Sequence, residues 1–202
     1  MHPLVPVTLF VMSKCPDAVF CEGVFADVLQ QVGPATNLTT EYIARALGSG
    51  RVQCLHGPSE CIGNTQQLCA RAMFPDPAQW FGFIRCQNRA WRSIPANSDA
   101  CFAEAISPDP AALLAWRECV HGARGRSLLA ESTRRAESAG ESRSCTIHIA
   151  GRKRCVHDGD WKECDGGHEV ADFVGDICAA AKDVGVSPLP AACSPSKFVL
   201  QE

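Results

Sequence analysis

Thirteen cysteines in 202 residues constrain this chain more than any other feature. Thiols at that density are kept reduced in the cytosol and cross-linked outside it, so the count points to an oxidising compartment. Their spacing adds a second constraint. No two of them form a C-x-x-C pair, the arrangement on which structural zinc sites usually draw, so disulfides are expected rather than zinc. Thirteen is odd, which leaves at least one thiol free or bonded to another chain. The cross-links do not stand in for a core: a chain of this length with 46 % hydrophobic and 20 % charged residues can bury one of its own. A net charge of −3 gives no basic footprint for nucleic acid. No apolar run approaches the ~20 residues that crossing a bilayer requires. Asn37-Leu38-Thr39 is a glycosylation sequon. The opening Met1-His2-Pro3-Leu4 has none of the marks of a secretory leader, so the sequence is expected to begin after one has been trimmed.

Hydrophobic patterning then sets the order of elements. Val5 to Val11 is a short, β-branched, mostly apolar run, as expected of a central strand buried on both faces. Cys15-Pro16 opens a helix, with proline where its missing N–H costs nothing. Cys21, Phe25, Val28, Leu29 and Val32 recur at helical spacing until Gly33-Pro34. Leu38 to Ala46 reads as a second strand, parallel to the first by the handedness of the crossover. From about 51 to 140 the pattern is a block of short helices over Glu60–Phe74, Pro77–Gln87, Ser98–Ile106, Pro110–Val120 and Ser127–Glu137. Cys145–Ala150 and Arg154–His157 form a hairpin, and a helix with Val170, Phe173, Val174, Ile177, Cys178 and Ala181 on one stripe follows. The order β-α-β, helical block, β-β-α predicts a thioredoxin-like α/β domain over 1–185 with a disulfide-rich helical insertion at about 51–140. A loosely held Pro-rich extension over 186–202 completes the expectation.

Cys15 is the position with chemistry. A cysteine leaving a buried strand at a helix N-terminus meets unpaired N–H groups and the positive end of the helix dipole, which favour the thiolate that attacks disulfides. Half of a structural disulfide is the other role open to it. The residue one helical turn on, where disulfide reductases carry a second cysteine, is Ala18. Cys21 lies six residues along, a helical rise of ~9 Å against a disulfide limit of ~7 Å between Cα atoms. Asp17 opposes the thiolate by charge. Cys54, Cys61 and Cys69 surround a Gly-Pro turn and suggest a disulfide-pinned loop, with His56 and Glu60 in loop hydrogen bonding or, alternatively, as metal ligands beside the thiols. Cys86, Cys101 and Cys119 are expected to staple helices, Cys155 and Cys164 to pair across Asp158-Gly159, and Cys178 to be an inert core thiol. Trp80, Trp91, Trp116 and Trp161 are assigned to the core or its rim.

The pattern C-x-H-G-x-x-E-C-x-x-N-x-x-x-x-C, filled by Cys54, His56, Gly57, Glu60, Cys61, Asn64 and Cys69, resembles the signature of the gamma-interferon-inducible lysosomal thiol reductase (GILT) family. The resemblance extends to Val7–Cys15 and Cys145–Ala181, and the Cys-Pro-Asp-Ala opening is similar to that of fungal members. It implies a thioredoxin-like, lysosomal or secreted protein that reduces protein disulfides at acidic pH without an organic cofactor. The family's first catalytic cysteine corresponds to Cys15 and its second to Ala18, and Leu55 stands where a glutamine is usual. Cys145 occupies the place of the cis-proline that faces the active cysteine in thioredoxin-like folds.

The reading placed first is therefore a GILT-like thiol oxidoreductase in which Cys15 attacks a substrate disulfide and is released by Cys21, Cys145 or an external thiol. Its expected partners are disulfide-containing proteins, with an intermolecular disulfide through the odd cysteine also open. No metal site is assigned to it. The alternatives are a secreted binding or structural protein that kept the fold without the chemistry, and a Cys/His metal binder.

Overall fold

The computed structural model describes residues 3–194. Strand β1 (Val5–Val11) leads into α1 (Pro16–Val32), a short 3-10 turn and β2 (Thr36–Tyr42). These two strands pair in parallel, Val5 opposite Thr36 and Val11 opposite Tyr42. The crossing helix is held by its own stripe: Cys21, Phe25, Val28 and Val32 are fully buried, and Phe25 meets Phe173 of the last helix at 5.2 Å between ring centroids. After the helical block, β5 (Thr146–Ile149), β6 (Arg152–Asp158) and β7 (Asp160–Lys162) complete a five-stranded sheet in the order β2-β1-β5-β6-β7. β5 runs antiparallel to β1, so β1 has a hydrogen-bonded neighbour on each side. Its near-continuous apolar character follows from that central position.

The second strand is shorter than its sequence pattern indicates. β2 ends at Tyr42; Ile43 still donates to the Val11 carbonyl at 2.9 Å, and Ala46 and Leu47 belong to a separate hairpin of β3 (Arg45–Leu47) and β4 (Arg51–Gln53). The Ser49-Gly50 tip, with φ of 64° and 74°, makes that reversal possible. The stretch expected to be wholly helical thus opens with a strand. It continues as α2 (Pro58–Met73), α3 (Pro77–Asn88), α4 (Ser98–Ala105), α5 (Pro110–His121) and α6 (Ala123–Ser138). Asp76 and Asp109 cap α3 and α5 by accepting the N–H of Ala78 and Ala111, with proline at the first helical position in both. α7 (Val170–Asp183) packs on α1, while α6 packs on β2 and on α2.

The helical block has an aromatic centre in which Trp116 meets Phe83 and Phe102 at 5.5 and 5.1 Å. Beside it runs a buried polar chain. Tyr42 donates to Gln67 at 2.6 Å, Gln67 to Gln87 at 2.8 Å, Gln87 to Ser98 at 2.9 Å, and Ser98 to Gln66 at 2.5 Å. Buried amides placed this way satisfy one another, so their low hydrophobicity does not expose the helix that carries them.

Six disulfides absorb twelve cysteines: Cys21–Cys145, Cys54–Cys61, Cys69–Cys119, Cys86–Cys101, Cys155–Cys164 and Cys178–Cys193. Cys178 is therefore not an inert core thiol. It tethers the chain beyond Gly185, so that Cys193 is buried rather than loosely held. Residues 195–202 of the expected extension lie outside the described residues. Among the described residues the free cysteine is Cys15, no helix is long and apolar enough to cross a membrane, and no cluster of three or more His, Cys, Asp or Glu side chains could hold a metal ion.

Candidate functional site

β1 ends at Val11, and Met12, Ser13 and Lys14 turn the chain into Cys15, whose N–H closes the turn on the Met12 carbonyl at 3.0 Å. Cys15 is the N-cap residue of α1, with extended backbone and Pro16 after it. Its Sγ lies 3.6 Å from Asp17 Oδ2 and 3.8 Å from the Ser144 carbonyl oxygen. Only 6 % of the residue is exposed.

The helix terminus does not control this thiol alone. Burial pushes the Cys15 pKa up, and the Asp17 charge adds to the rise. A hydrogen bond with Ser144 and the N–H groups of Ala18 and Asp17 pull it down by less. The expectation that the helix N-terminus sets the ionisation of Cys15 is corrected accordingly: its N–H groups act in the foreseen direction, but desolvation outweighs them.

Ala18, in the place of a second catalytic cysteine, is buried at the start of α1. Cys21 does not reach Cys15 and bonds instead to Cys145, which pairs through both backbone groups with His157 at 2.9 Å. Both sulfurs of that disulfide belong to fully buried residues. Cys145 follows Ser144 through a cis peptide bond, and Ser144 is the residue whose carbonyl touches the Cys15 sulfur. The structure thus brings Cys15 and the Cys21–Cys145 disulfide to one place, while Cys15 itself is bonded to neither.

Six of the seven signature residues form a bracket behind this turn. Cys54–Cys61 closes the loop that starts α2, and Gly57, with φ of 84°, supplies the backbone conformation that a side chain would disfavour there. The buried Glu60 carboxylate accepts the His56 N–H at 3.2 Å and also binds the His56 ring. Asn64 Oδ1 accepts the Ser13 N–H at 2.9 Å, and Ser13 Oγ donates to the Glu60 carbonyl at 3.2 Å. A Cβ on Gly63 would stand 2.6 Å from Ser13 Oγ and 2.5 Å from Ile94, so only glycine lets the turn approach α2 this closely. Cys69 points elsewhere, into its bond with Cys119 in the helical block.

Ser144 and Phe20 carry no signal of their own in the sequence, whereas the charge of Asp17 beside Cys15 is legible there. Ser144 accepts the Met12 N–H at 3.1 Å as well as facing Cys15. Asp17 Oδ1 accepts from His157 Nδ1 and from the Gly159 N–H, both at 2.8 Å. Phe20 stacks on His157 at 4.3 Å, with Trp161 edge-on at 4.9 Å. Beside the turn, a cavity of about 370 Å³ is lined by Met12, Ile43, Ala44, Cys54 and Leu55 among others.

A family model described as gamma interferon inducible lysosomal thiol reductase (GILT) matches residues 6–106, half of the chain. None of the curated proteins matches it. Among solved structures, a thioredoxin-like oxidoreductase from Silicibacter pomeroyi superposes with a TM-score of 0.58 at 12 % identity, covering 90 % of this chain and 88 % of that one. Reduced DsbA1 from Neisseria meningitidis gives 0.56 at 13 % identity, covering 90 % and 84 %. Oxidised BdbD from Bacillus subtilis gives 0.55 at 12 % identity, covering 88 % of each. At such identities the likeness establishes the thioredoxin-like fold.

Proposed function

The chain belongs to the gamma interferon inducible lysosomal thiol reductase family, and from that premise we propose that it reduces or exchanges the disulfides of protein substrates through Cys15. Family and fold are those of thiol–disulfide oxidoreductases in general. The finer reading is carried by one observation: the unpaired cysteine is the residue at the start of α1, beside a buried disulfide.

The Cys15 thiolate attacks one sulfur of a substrate disulfide; the S–S bond breaks and the other sulfur leaves with the electron pair and takes up a proton. Ala18 cannot resolve the mixed disulfide. With Cys21 and Cys145 reduced, the Cys145 thiolate attacks the Cys15 sulfur and releases the substrate as a thiol. Cys21 then displaces Cys15 from Cys145, which restores the free Cys15 thiol beside the Cys21–Cys145 disulfide. Two electrons have passed to the substrate, and an external thiol returns them. Without that reduction, Cys15 exchanges disulfides one at a time, and an external thiol releases it. The cavity beside Met12 and Leu55 would receive an apolar side chain next to the attacked cystine. Six disulfides fit an oxidising compartment, and secretion or lysosomal delivery follows as part of the proposal, with Asn37 exposed on β2 as its glycan acceptor.

The burial of Cys15 favours the competing reading, a binding protein without turnover. A fluorogenic disulfide peptide with a fixed external thiol separates the two. Wild type is expected to turn over, Cys15→Ser to lose the activity, and a Cys21→Ser/Cys145→Ser double variant to form the mixed disulfide but depend wholly on the external thiol for release. Equal rates for wild type and Cys15→Ser would leave the binding protein standing.

A further inference from the structure

Two side chains, Asp17 and His157, are linked in a chain that ends at the one sulfur the proposed reaction uses. Asp17 Oδ2 lies 3.6 Å from Cys15 Sγ. Its other oxygen is fixed by His157 Nδ1 and the Gly159 N–H, both at 2.8 Å. The carboxylate therefore cannot swing away from the thiol without giving up two hydrogen bonds. His157 is fixed in turn: its backbone pairs with Cys145 on both sides at 2.9 Å, and its ring lies between Phe20 and Trp161. Both side chains are largely withdrawn from water, 18 % exposed for Asp17 and 11 % for His157, so a charge on either is felt strongly by its neighbour.

We propose that His157 and Asp17 are positioning residues that govern the proton of Cys15, with Asp17 holding the sulfur protonated while His157 is neutral and losing that hold when His157 is charged. The proposal rests on Cys15 being the nucleophile. When the imidazole is neutral, the carboxylate is an uncompensated anion against the sulfur, and a thiolate beside it is disfavoured. When the imidazole is charged, the two form an internally neutral pair and the S–H bond breaks more readily. The electron pair stays on sulfur and the proton passes to solvent.

Of the other charges facing this cluster, Asp158 also feels His157, and the rest are engaged elsewhere. On β6 and β7, Asp158 pairs with Lys162 at 2.9 Å and stands opposite Asp160. Ahead of α7, His168 stacks on Trp161 and lies 3.6 Å from Glu169. Lys14, on the turn, donates to the Ile94 and Arg92 carbonyls. Arg143, ahead of β5, pairs with Glu163. Among the described residues, Asp17 is the acid in hydrogen-bond contact with the Cys15 sulfur.

The test is the second-order rate of Cys15 alkylation by iodoacetamide on the full chain from acid to alkaline pH. This rate reads the thiolate without any disulfide substrate. Asp17→Asn, whose amide oxygen can still accept the Gly159 N–H, is expected to react faster than wild type on the alkaline side, where the repelling charge is removed. His157→Gln is expected to match wild type there and to fall below it on the acid side, and the double variant to behave as Asp17→Asn. An Asp17→Asn variant that alkylates more slowly than wild type, or a His157→Gln profile superimposable on wild type, would overturn the proposal. If these profiles appear but no disulfide is turned over, the oxidoreductase reading fails and the control of Cys15 stands. If turnover is found and the profiles coincide, the reverse holds.

Discussion

Glu22 follows Cys21 on α1 and is enclosed between that helix and α3, with 2 % of its surface exposed. One carboxylate oxygen accepts Asn88 Nδ2 at 2.6 Å; the other, Oε1, has no partner. Burial pushes its carboxyl up from 4.5 to about 7, against smaller downward pulls from Asn88 and the Arg85 guanidinium. The folded protein thus holds this proton more tightly than the unfolded chain does. The resulting stability is fully present below the unfolded value of 4.5 and is lost as the pH rises through about 7. At about 1.4 kcal/mol per pH unit the loss amounts to about 3 kcal/mol. In a domain of this size that corresponds to a fall in Tm on the order of 6–12 °C. Glu22→Gln keeps the shape and an acceptor for Asn88 but cannot ionise. Urea unfolding at about pH 4 and about pH 8, disulfides intact, should therefore show wild type losing about 3 kcal/mol more stability than the variant across that interval. All other carboxylates titrate alike in the two proteins, so parallel losses would refute the argument. Confirmation would mean that acidity suits this fold, with Glu22 held neutral one residue from the Cys21–Cys145 disulfide.

Asn64→Ala leaves the buried Ser13 N–H without its acceptor. It should cost about 1–3 kcal/mol in urea unfolding and change the alkylation rate of Cys15 by loosening the turn before it; an unchanged rate would separate the signature from the site. Cys69→Ser/Cys119→Ser opens a link spanning 50 residues, which the chain-entropy treatment values at about 4 kcal/mol. The double variant should unfold at correspondingly lower urea, with the reactivity of Cys15 preserved.

Local chemistry and periodicity carry much of this protein. The apolar run of β1, the proline that opens α1, the Asp-Pro start of α5 and the stripe of α7 are dictated by neighbours within a few residues, so they are legible in the chain itself. The same is true of Cys15 as the helix-opening thiol and of the odd cysteine count. Where the pattern of β2 runs on toward β3 the local signal is ambiguous, and only the structure shows β2 ending at Tyr42 and β3 turning back at Ser49-Gly50 to pair with β4. The polar face of α2 likewise looks solvated until Gln66, Gln67, Gln87, Ser98 and Tyr42 are seen to satisfy one another.

What the tertiary structure alone decided is which groups meet at the sulfur. Cys21 finds Cys145 across 124 residues, Asn64 finds Ser13 across 51, and Asp17 finds His157 across 140. Spacing along a chain says nothing about contacts at such separations, because they are made by the pairing order of the sheet and the packing of helices upon it. The ionisation of Cys15 is of the same kind. Its helix terminus is written in the sequence, but the burial that outweighs it exists only in the folded chain, where Ser144 is brought against the sulfur from 129 residues away.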